Sequence, residues 1–218
     1  MFDKEKNDLL KLIAIISMFI DHIGHLLYPE IKVLRIIGRI AFPIFCYQLA
    51  MGAHYTRDIN KYIKRVLIFG LISQIPYTLF LTGFGKTSSI ILRANIMFTF
   101  TISLLIIKRI KDRNYTLIPL WLLIGILGSI DYGIYGILMV LAFYFFNENI
   151  YMCISVTSIL TLLNGLLYSK TQIWAIIPIL LIPIISKIKL NVKLPKYFFY
   201  IFYPLHLLLI WAVYITFY

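Results

Sequence analysis

Apolar residues run through this chain almost from end to end, and short polar stretches divide them into segments. A membrane-spanning helix needs about 20 predominantly apolar residues, so each long segment predicts one span. The pattern gives nine candidate spans, and the shorter ones leave the count open between eight and ten. They cover residues 9–28, 33–53, 66–84, 95–107, 115–130, 132–146, 150–168, 173–186 and 197–217.

The composition agrees with this division. Hydrophobic residues make up 61% of the 218 positions and the mean hydropathy is +0.89, well above the usage of soluble domains. We therefore predict an all-α fold, a polytopic integral membrane bundle of about nine helices, with residues 1–218 as a single domain. The first span carries ionisable residues and no Ala-x-Ala-like cleavage site, so we expect it to be retained.

The basic residues alternate along the chain in a way that predicts its orientation. The formal net charge is +12, and cytoplasmic loops of membrane proteins carry an excess of Lys and Arg. Fifteen of the 21 basic residues fall in alternate connections, which places the N-terminus in the cytoplasm and the C-terminus outside. They are Lys4, Lys6, Lys11, Arg57, Lys61, Lys64, Arg65, Lys108, Arg109, Lys111, Arg113, Lys187, Lys189, Lys193 and Lys196.

Topology thus explains most of the positive charge, so we expect no nucleic-acid partner. The expected surroundings are the lipid bilayer, and the expected location is a bacterial inner or plasma membrane, in multi-pass form. The basic residues left over are Lys32, Arg35, Arg39, Lys86, Arg93 and Lys170. Three of these six, all arginines, lie within or against the predicted outer halves of helices, where a charge is costly.

Two of these arginines share one face of the second span. Arg35 and Arg39 are four positions apart, and Gly38 between them allows a close approach of another helix. The Ala-Phe-Pro sequence at 41–43 follows, where the proline predicts a break or kink. Asp21 and Asp131 are the carboxylates near that depth. Either they form structural ion pairs with the arginines, or a substrate anion or a developing oxyanion completes the charge balance.

The most informative segment is Asp-His-Ile-Gly-His at residues 21–25, inside the first span. Ionisable side chains within a bilayer are expensive and commonly mark a functional site. Asp21 and His25 are four positions apart and His22 and His25 three, so all three can converge on one side of a helix. A histidine is suited to general-base chemistry near neutral pH. The alternative is a buried polar pair that holds helices together.

A basic residue, Lys11, belongs to the same predicted helix as this segment. Lys11 precedes His22 by 11 residues, about 16 Å along a helix, and lies on nearly the same face nearer the cytoplasm. It binds substrate or is an ordinary lysine at the membrane boundary.

The sequence 131–133 opens the sixth span, and 203–206 is predicted to break the ninth near its middle. Histidines and carboxylates spread over three helices have no diagnostic metal spacing, so we expect no metal.

Several segments occur in a recognisable order. They are Lys-Leu-Ile-Ala at 11–14 with Asp-His at 21–22, and residues 38–45, 95–99, 131–133 and 196–207. With their Gly-Arg-x-Ala-Phe-Pro and Tyr-Pro-x-His-Leu motifs, which are fairly specific, these segments resemble the TraX family, typified by the F-pilin N-acetylase, across nearly the whole chain. The spacing Lys11-x10-His22 is similar to the Arg/Lys-x10-His signature of the broader membrane acyltransferase superfamily.

This resemblance implies transfer of an acyl group, usually acetyl, from cytoplasmic acyl-CoA to an acceptor at the membrane or on its outer side. The acceptor would be an amine, such as a peptide or protein N-terminus, or a hydroxyl. The expected donor is acetyl-CoA, and basic cytoplasmic loops offer charges for its phosphates. Family resemblance does not carry over the identity of the acceptor.

We assign roles on this basis. His22 is the expected general base, or else a transient acyl carrier, with Asp21 or His25 orienting it and Arg39 stabilising the oxyanion. Arg35 is the second choice for the oxyanion, and His206 with Tyr203 shapes the acceptor side. The expected substrate-binding residues are Lys11, Arg35, Asn95, Asp131, Tyr132, Tyr203 and His206.

Two other classes of function remain open at this point. A small transporter or flippase for an anionic solute would use the membrane arginines as binding groups and the histidines as a proton relay. It predicts solute flux without consumption of acyl-CoA. A noncatalytic membrane partner that inserts or stabilises another protein is the third possibility.

Overall fold

A computed structural model describes residues 8–83, 93–188, 195 and 197–217. These residues are helical apart from short connections and one isolated bridge between Ala94 and Ile130. A 3-10 helix, Lys170–Ala175, precedes α9. The α-helices are α1 (Asp8–Leu26), α2 (Lys32–Gly38), α3 (Ala41–Tyr55), α4 (Ile59–Thr82), α5 (Ile96–Lys111), α6 (Ile118–Leu127), α7 (Gly133–Phe145), α8 (Ile150–Leu167), α9 (Ile176–Ile185) and α10 (Phe198–Phe217).

The helices form the membrane bundle that the hydropathy pattern predicts. Five stretches within the described residues are long and apolar enough to cross a bilayer, and shorter apolar helices lie between them. The protein is therefore a helical membrane protein. The five stretches are Asp8–Leu26, Lys32–Tyr55, Ile59–Thr82, Ile150–Leu167 and Phe198–Phe217.

The second span bends where its sequence predicts. Residues Lys32–Tyr55 divide into α2 and α3 at Arg39 and Ile40. Pro43 is the third residue of α3, where its missing N–H would have no partner in the helix in any case, so the new helix begins just before it. The bend places Arg35 of α2 and Arg39 directly after it beside the end of α1, against which α2 packs.

One expectation about a proline is wrong. Residues 203–206 do not break the ninth span, because α10 continues from Phe198 to Phe217 with Pro204 inside it. A proline in a helix interior removes one backbone hydrogen bond, and membrane helices tolerate this loss when neighbouring groups compensate. Pro76 in α4 and Pro183 in α9 also lie inside continuous helices.

The bundle has two ends of different character, which we call the cavity end and the basic end. At the cavity end lie the end of α1, the start of α2, the α6–α7 connection and the α8–Lys170 connection. At the basic end lie the connections α3–α4 and α5–α6, which carry predicted cytoplasmic charges, together with the end of α9 and the start of α10. Among the basic residues of the sequence pattern, Lys4, Lys6, Lys86, Lys189, Lys193 and Lys196 lie outside the described residues.

Candidate active site

A cavity of about 530 Å³ opens at the cavity end. Its described lining comes from α1, α2, α4, the α6–α7 connection and the residues around the 3-10 helix. The structure brings together here eight of the polar residues singled out from the sequence. They are Asp21, His22, His25, Arg35, Arg39, Arg93, Asp131 and Tyr132.

Asp21 is the electrostatic centre of one wall. Its Oδ1 atom lies 2.7 Å from Nη2 of Arg39 and its Oδ2 atom 2.8 Å from Nη1 of Arg35. The side chains of Asp21 and Arg39 are only 12% and 10% exposed. One carboxylate thus pairs with both Arg35 and Arg39. Of the two alternatives that the sequence left open, the structure shows the ion pairs within the protein.

Gly38 explains how α1 and α2 come so close. A Cβ atom at position 38 would overlap the side chain of Asp21. Only a residue without a side chain fits between the carboxylate and the α2 backbone. The glycine between the two arginines therefore determines the geometry of both ion pairs.

Arg39 joins four parts of the fold. Besides the ion pair with Asp21, its Nε atom donates to the Arg35 carbonyl (3.1 Å). Its Nη1 atom donates to the hydroxyl of Tyr132 (3.3 Å) and to Oε1 of Gln172 (3.1 Å). A guanidinium has five N–H donors, and these four contacts leave one on Nη2. Arg39 thereby ties α1, α7 and the 3-10 helix to the α2–α3 bend.

Arg35 is held differently. Its Nη1 atom also donates to the backbone carbonyl of Asp21 (3.0 Å), in the peptide that directly precedes His22. None of the hydrogen bonds within the described residues uses its Nε or Nη2 atom. The side chain is 29% exposed and lines the cavity, so it presents unused donors there.

His22 pairs with His206 across α1 and α10. Nδ1 of His22 lies 2.7 Å from Nε2 of His206, and Nδ1 of His206 lies 2.8 Å from the Phe202 carbonyl oxygen. A carbonyl only accepts, so Nδ1 of neutral His206 carries its proton and Nε2 accepts from His22. Nδ1 of His22 is then the donor, and its Nε2 atom keeps a lone pair. This tautomer assignment follows from the hydrogen-bond network.

The rest of the surroundings leave that lone pair available. His22 lines the cavity, and its Nε2 atom makes no hydrogen bond to any described residue. Phe80 packs edge-on against the His22 ring with centroids 5.0 Å apart. Phe202 lies parallel to His206 at 4.9 Å, and Phe198 stacks on Phe202 at 6.0 Å. Aromatic rings thus pack against both histidines of the pair, with Phe80 at the cavity wall and Phe202 next to His206.

The partner of His22 differs from the one expected from the sequence. We expected Asp21 or His25 to orient it, but Asp21 faces the arginines and His25 packs on Phe80 at 5.5 Å. Adjacent helical residues point about 100° apart, so Asp21 and His22 face different neighbours. A local sequence pattern does not predict the pair of His22 and His206, because it depends on how α1 is rotated and on a residue far away in the sequence.

A second ion pair lies across the cavity. Arg93 donates from Nη2 to Oδ1 of Asp131 (3.1 Å), and its side chain is 49% exposed. Tyr132 begins α7 in the left-handed conformation (φ 60°) and stacks on Phe42 at 3.7 Å. That conformation turns its hydroxyl toward Arg39 and connects the two sides of the cavity.

Four of the residues expected to bind substrate do not line the cavity: Lys11, Asn95, Tyr203 and His206. Lys11 lies near the start of α1 and pairs with Asp8 at 2.8 Å, as a boundary lysine does. Asn95 is buried and caps α5, accepting from the Met97 N–H and donating to the Gly70 carbonyl. Tyr203 is buried in α10, with its ring 5.8 Å from that of His206.

The sequence reasoning missed several polar residues at the site. Gln172 is 2% exposed, accepts from Arg39 and donates to the hydroxyl of Tyr135 (3.2 Å). Tyr77 also lines the cavity. These residues have no motif around them. The available signal was a glutamine directly before the apolar segment at 173–186, because an amide inside a membrane needs a polar partner.

The family model for TraX protein matches residues 6–214 of this chain. The chain belongs to the TraX family. This confirms the resemblance that the sequence motifs indicated, and all the described residues that line the cavity lie within the matched range. The TraX-family assignment and the apolar helices together identify a membrane protein.

Individual relatives differ in how much of the chain they cover. The probable fimbrial assembly protein FimC, serogroup H1, of Dichelobacter nodosus is 28% identical over 92% of each chain. Protein TraX of Escherichia coli is 28% identical over 64% of this chain and 55% of its own length. An uncharacterized protein of Rickettsia prowazekii is 44% identical over 84 residues, 38% of this chain and 32% of that protein. No solved structure matches this chain.

Proposed function

We propose that this protein is an acyl-CoA-dependent acyltransferase, an N-acetyltransferase foremost, with His22 as its general base. The donor is acetyl-CoA, and the acceptor is an amine or hydroxyl that enters the cavity. The observation that carries this proposal is the histidine pair at the cavity wall, in which the free Nε2 lone pair of His22 is oriented by a hydrogen bond to His206.

The reaction balances with these groups. The acceptor nitrogen or oxygen attacks the thioester carbonyl carbon while Nε2 of His22 takes its proton. The C–S bond then breaks, and the CoA sulfur leaves with the proton that His22 received. The products are the acetylated acceptor and free CoA thiol, and His22 returns to its starting form.

His206 acts as a positioning residue in this scheme. Its Nε2 atom accepts from Nδ1 of His22 throughout, which holds the ring in one tautomer and stabilises the imidazolium that forms. The role resembles that of the carboxylate in a catalytic triad, although the acceptor here is a neutral imidazole. The thioester oxyanion would be stabilised by Arg39, which keeps one free Nη2 donor and a full positive charge.

The similarity to the Dichelobacter nodosus relative, a probable fimbrial assembly protein, favours a protein acceptor of the fimbrial kind. The N-terminal amine of such a subunit is the acceptor we test first. The orientation from the basic loops would place this acceptor on the outer side and the donor CoA in the cytoplasm.

The test is release of CoA thiol from acetyl-CoA by the purified full-length protein, with and without peptides that carry a free N-terminal amine. We expect release that rises with one peptide class and falls at least 100-fold in His22→Ala, the smallest contribution typical of a general base. His54→Ala is the matched control, because His54 bonds to the Tyr144 carbonyl away from the cavity.

Full thiol release by folded His22→Ala would overturn the assignment of the base. Absence of thiol release by wild type, together with binding or flux of an anionic solute, would favour the transporter instead. The cavity arginines would then be solute-binding groups.

A further inference from the structure

The charges that line the cavity do not cancel. Its described lining holds three arginines, Arg35, Arg39 and Arg93, and two carboxylates, Asp21 and Asp131. One formal positive charge is therefore in excess when the histidines are neutral. An uncompensated charge within a membrane protein is costly, and substrate commonly completes the balance.

The excess can be located. Asp21 pairs with both Arg35 and Arg39, so its single negative charge leaves a net charge of +1 on these three side chains. Arg39 has four of its five N–H donors bonded to protein groups. Arg35 uses only Nη1 within the described residues, and its side chain reaches the cavity. Arg93 also has unbonded donors, but it has Asp131 to itself. Of the two arginines that share one carboxylate, Arg35 has the more free donors, so an anion would complete its pairing.

An amine acceptor can enlarge this imbalance. An acceptor that enters as an ammonium ion brings a second positive charge beside Arg35, whose Nη1 atom contacts the peptide preceding His22. The proton that His22 takes during the reaction is matched by the negative charge on the thioester oxygen, so that step leaves the net charge of the cavity unchanged. A negative group on the acceptor offsets the charge of the ammonium, and a guanidinium binds oxyanions in a bidentate manner.

We propose that the acceptor carries a carboxylate or phosphate group near its nucleophilic atom, and that Arg35 binds this group through Nε and Nη2. The inference rests on the proposed acyltransferase function and narrows its substrate class. It also gives the two arginines different tasks: Arg39 holds the fold around Asp21 and stabilises the oxyanion, and Arg35 selects the acceptor.

The test is binding of small probes to the full-length protein in detergent, measured by calorimetry without acetyl-CoA. N-acetylglycine and N-acetylglycinamide differ only in one carboxylate, and methyl phosphate tests the phosphate form. We expect N-acetylglycine or methyl phosphate to bind at least tenfold more tightly than the amide. The tighter of the two anions identifies the group.

Two variants separate a specific site from general charge. Arg35→Gln should abolish the preference for the anion, and Arg35→Lys should keep part of it because a lysine retains the charge without the fork. Lys32→Gln is the matched control, since this exposed residue lies one turn away on α2 and outside the cavity lining. It should leave the preference unchanged. Thermal midpoints confirm that each variant is folded.

Equal binding of the amide and the anions by wild type would overturn the inference. So would a preference that survives Arg35→Gln, or displacement of the anion by CoA, which would assign the site to the donor. Thiol release that requires His22 without any anion preference would overturn this inference and leave the acyltransferase proposal standing. An Arg35-dependent preference without thiol release would keep the anion site and remove the acyltransferase function.

Discussion

The two ends of the bundle use charge in different ways. At the cavity end, the ion pairs between described residues join separate elements: Asp21 of α1 with Arg35 and Arg39, and Arg93 with Asp131. At the basic end they join residues three or four positions apart: Asp8 with Lys11, Asp58 with Lys61, and Lys108 with Asp112. Local pairs support one helix, whereas the cavity pairs fix how helices meet.

The residue types follow the same division. The cavity end uses arginines, whose planar guanidinium can serve several partners at once, as Arg39 does. The local pairs of the basic end use lysines, which act as hydrated point charges. An exposed local pair contributes about 0 to 1 kcal/mol, whereas removing one partner of a buried pair is far more costly. Charge at the basic end serves orientation, and charge at the cavity end serves structure and chemistry.

We expect the two ends to differ most in how far an aspartate-to-asparagine substitution lowers the free energy of unfolding. Asp21→Asn leaves two arginines without their carboxylate in a poorly hydrated site, so the free energy of unfolding should fall by about 3–5 kcal/mol. Asp58→Asn is the control at the basic end, where asparagine still caps α4. Unfolding in mixed micelles measures both. Equal stability of the two variants would show that the Asp21 pairs are not central to the fold.

Alanine substitutions at two glycines should lower the free energy of unfolding by an intermediate amount. Gly38→Ala forces a methyl group into the Asp21 side chain, which its two ion pairs hold in place, so we expect a loss of about 1–3 kcal/mol. Gly52→Ala, in α3 near the basic end, meets the Tyr62 hydroxyl at 2.6 Å, the far end of a side chain that can shift. Its loss should be smaller in the same unfolding assay. A larger loss for Gly52→Ala would contradict the view that the α1–α2 contact is the less adaptable one.

The smallest expected effect is the pH dependence of the stability that Asp58 contributes as the N-cap of α4. The Lys61 N–H donates to the Asp58 carboxylate at 3.0 Å, and this bond lowers the pKa of Asp58. The pKa in the unfolded chain is about 3.9. A carboxylate whose pKa is lower in the folded state stabilises the fold above the unfolded pKa, and this contribution is lost as pH falls through the folded pKa.

Wild type should therefore exceed Asp58→Ala in stability at neutral pH, and the difference should narrow as the pH is lowered below about 4. Thermal midpoints of the two proteins across this range give the measurement. A difference that stays constant down to the lowest pH would exclude the charged cap as its cause.

The sequence predicted the bundle and the end at which the site lies. Apolar segments of sufficient length give helices, and the proline at position 43 marked the bend after α2. The cost of charge in a membrane pointed to Asp21, Arg35 and Arg39, which the structure brings together. These features depend on local composition and on helical periodicity, which a single sequence displays.

The remaining features depend on how helices rotate and pack. His22 and His206 are 184 positions apart, and no periodicity relates α1 to α10. Lys11 shares a helical face with His22 in the pattern, but it pairs with Asp8 at the far end of α1. Asn95 was interpreted as a contact for substrate, although an asparagine immediately before a helix is also a common N-cap, which is its place here.

The central claim is that His206 makes His22 a base by holding its tautomer, and the most direct test is the rate of acetyl transfer in two His206 variants. His206→Phe keeps a ring to stack on Phe202 but removes the acceptor, whereas His206→Gln retains an acceptor oxygen. We predict a loss on the order of 100-fold for His206→Phe, and partial recovery with an unchanged acceptor KM for His206→Gln. Wild-type rates in folded His206→Phe would contradict the account.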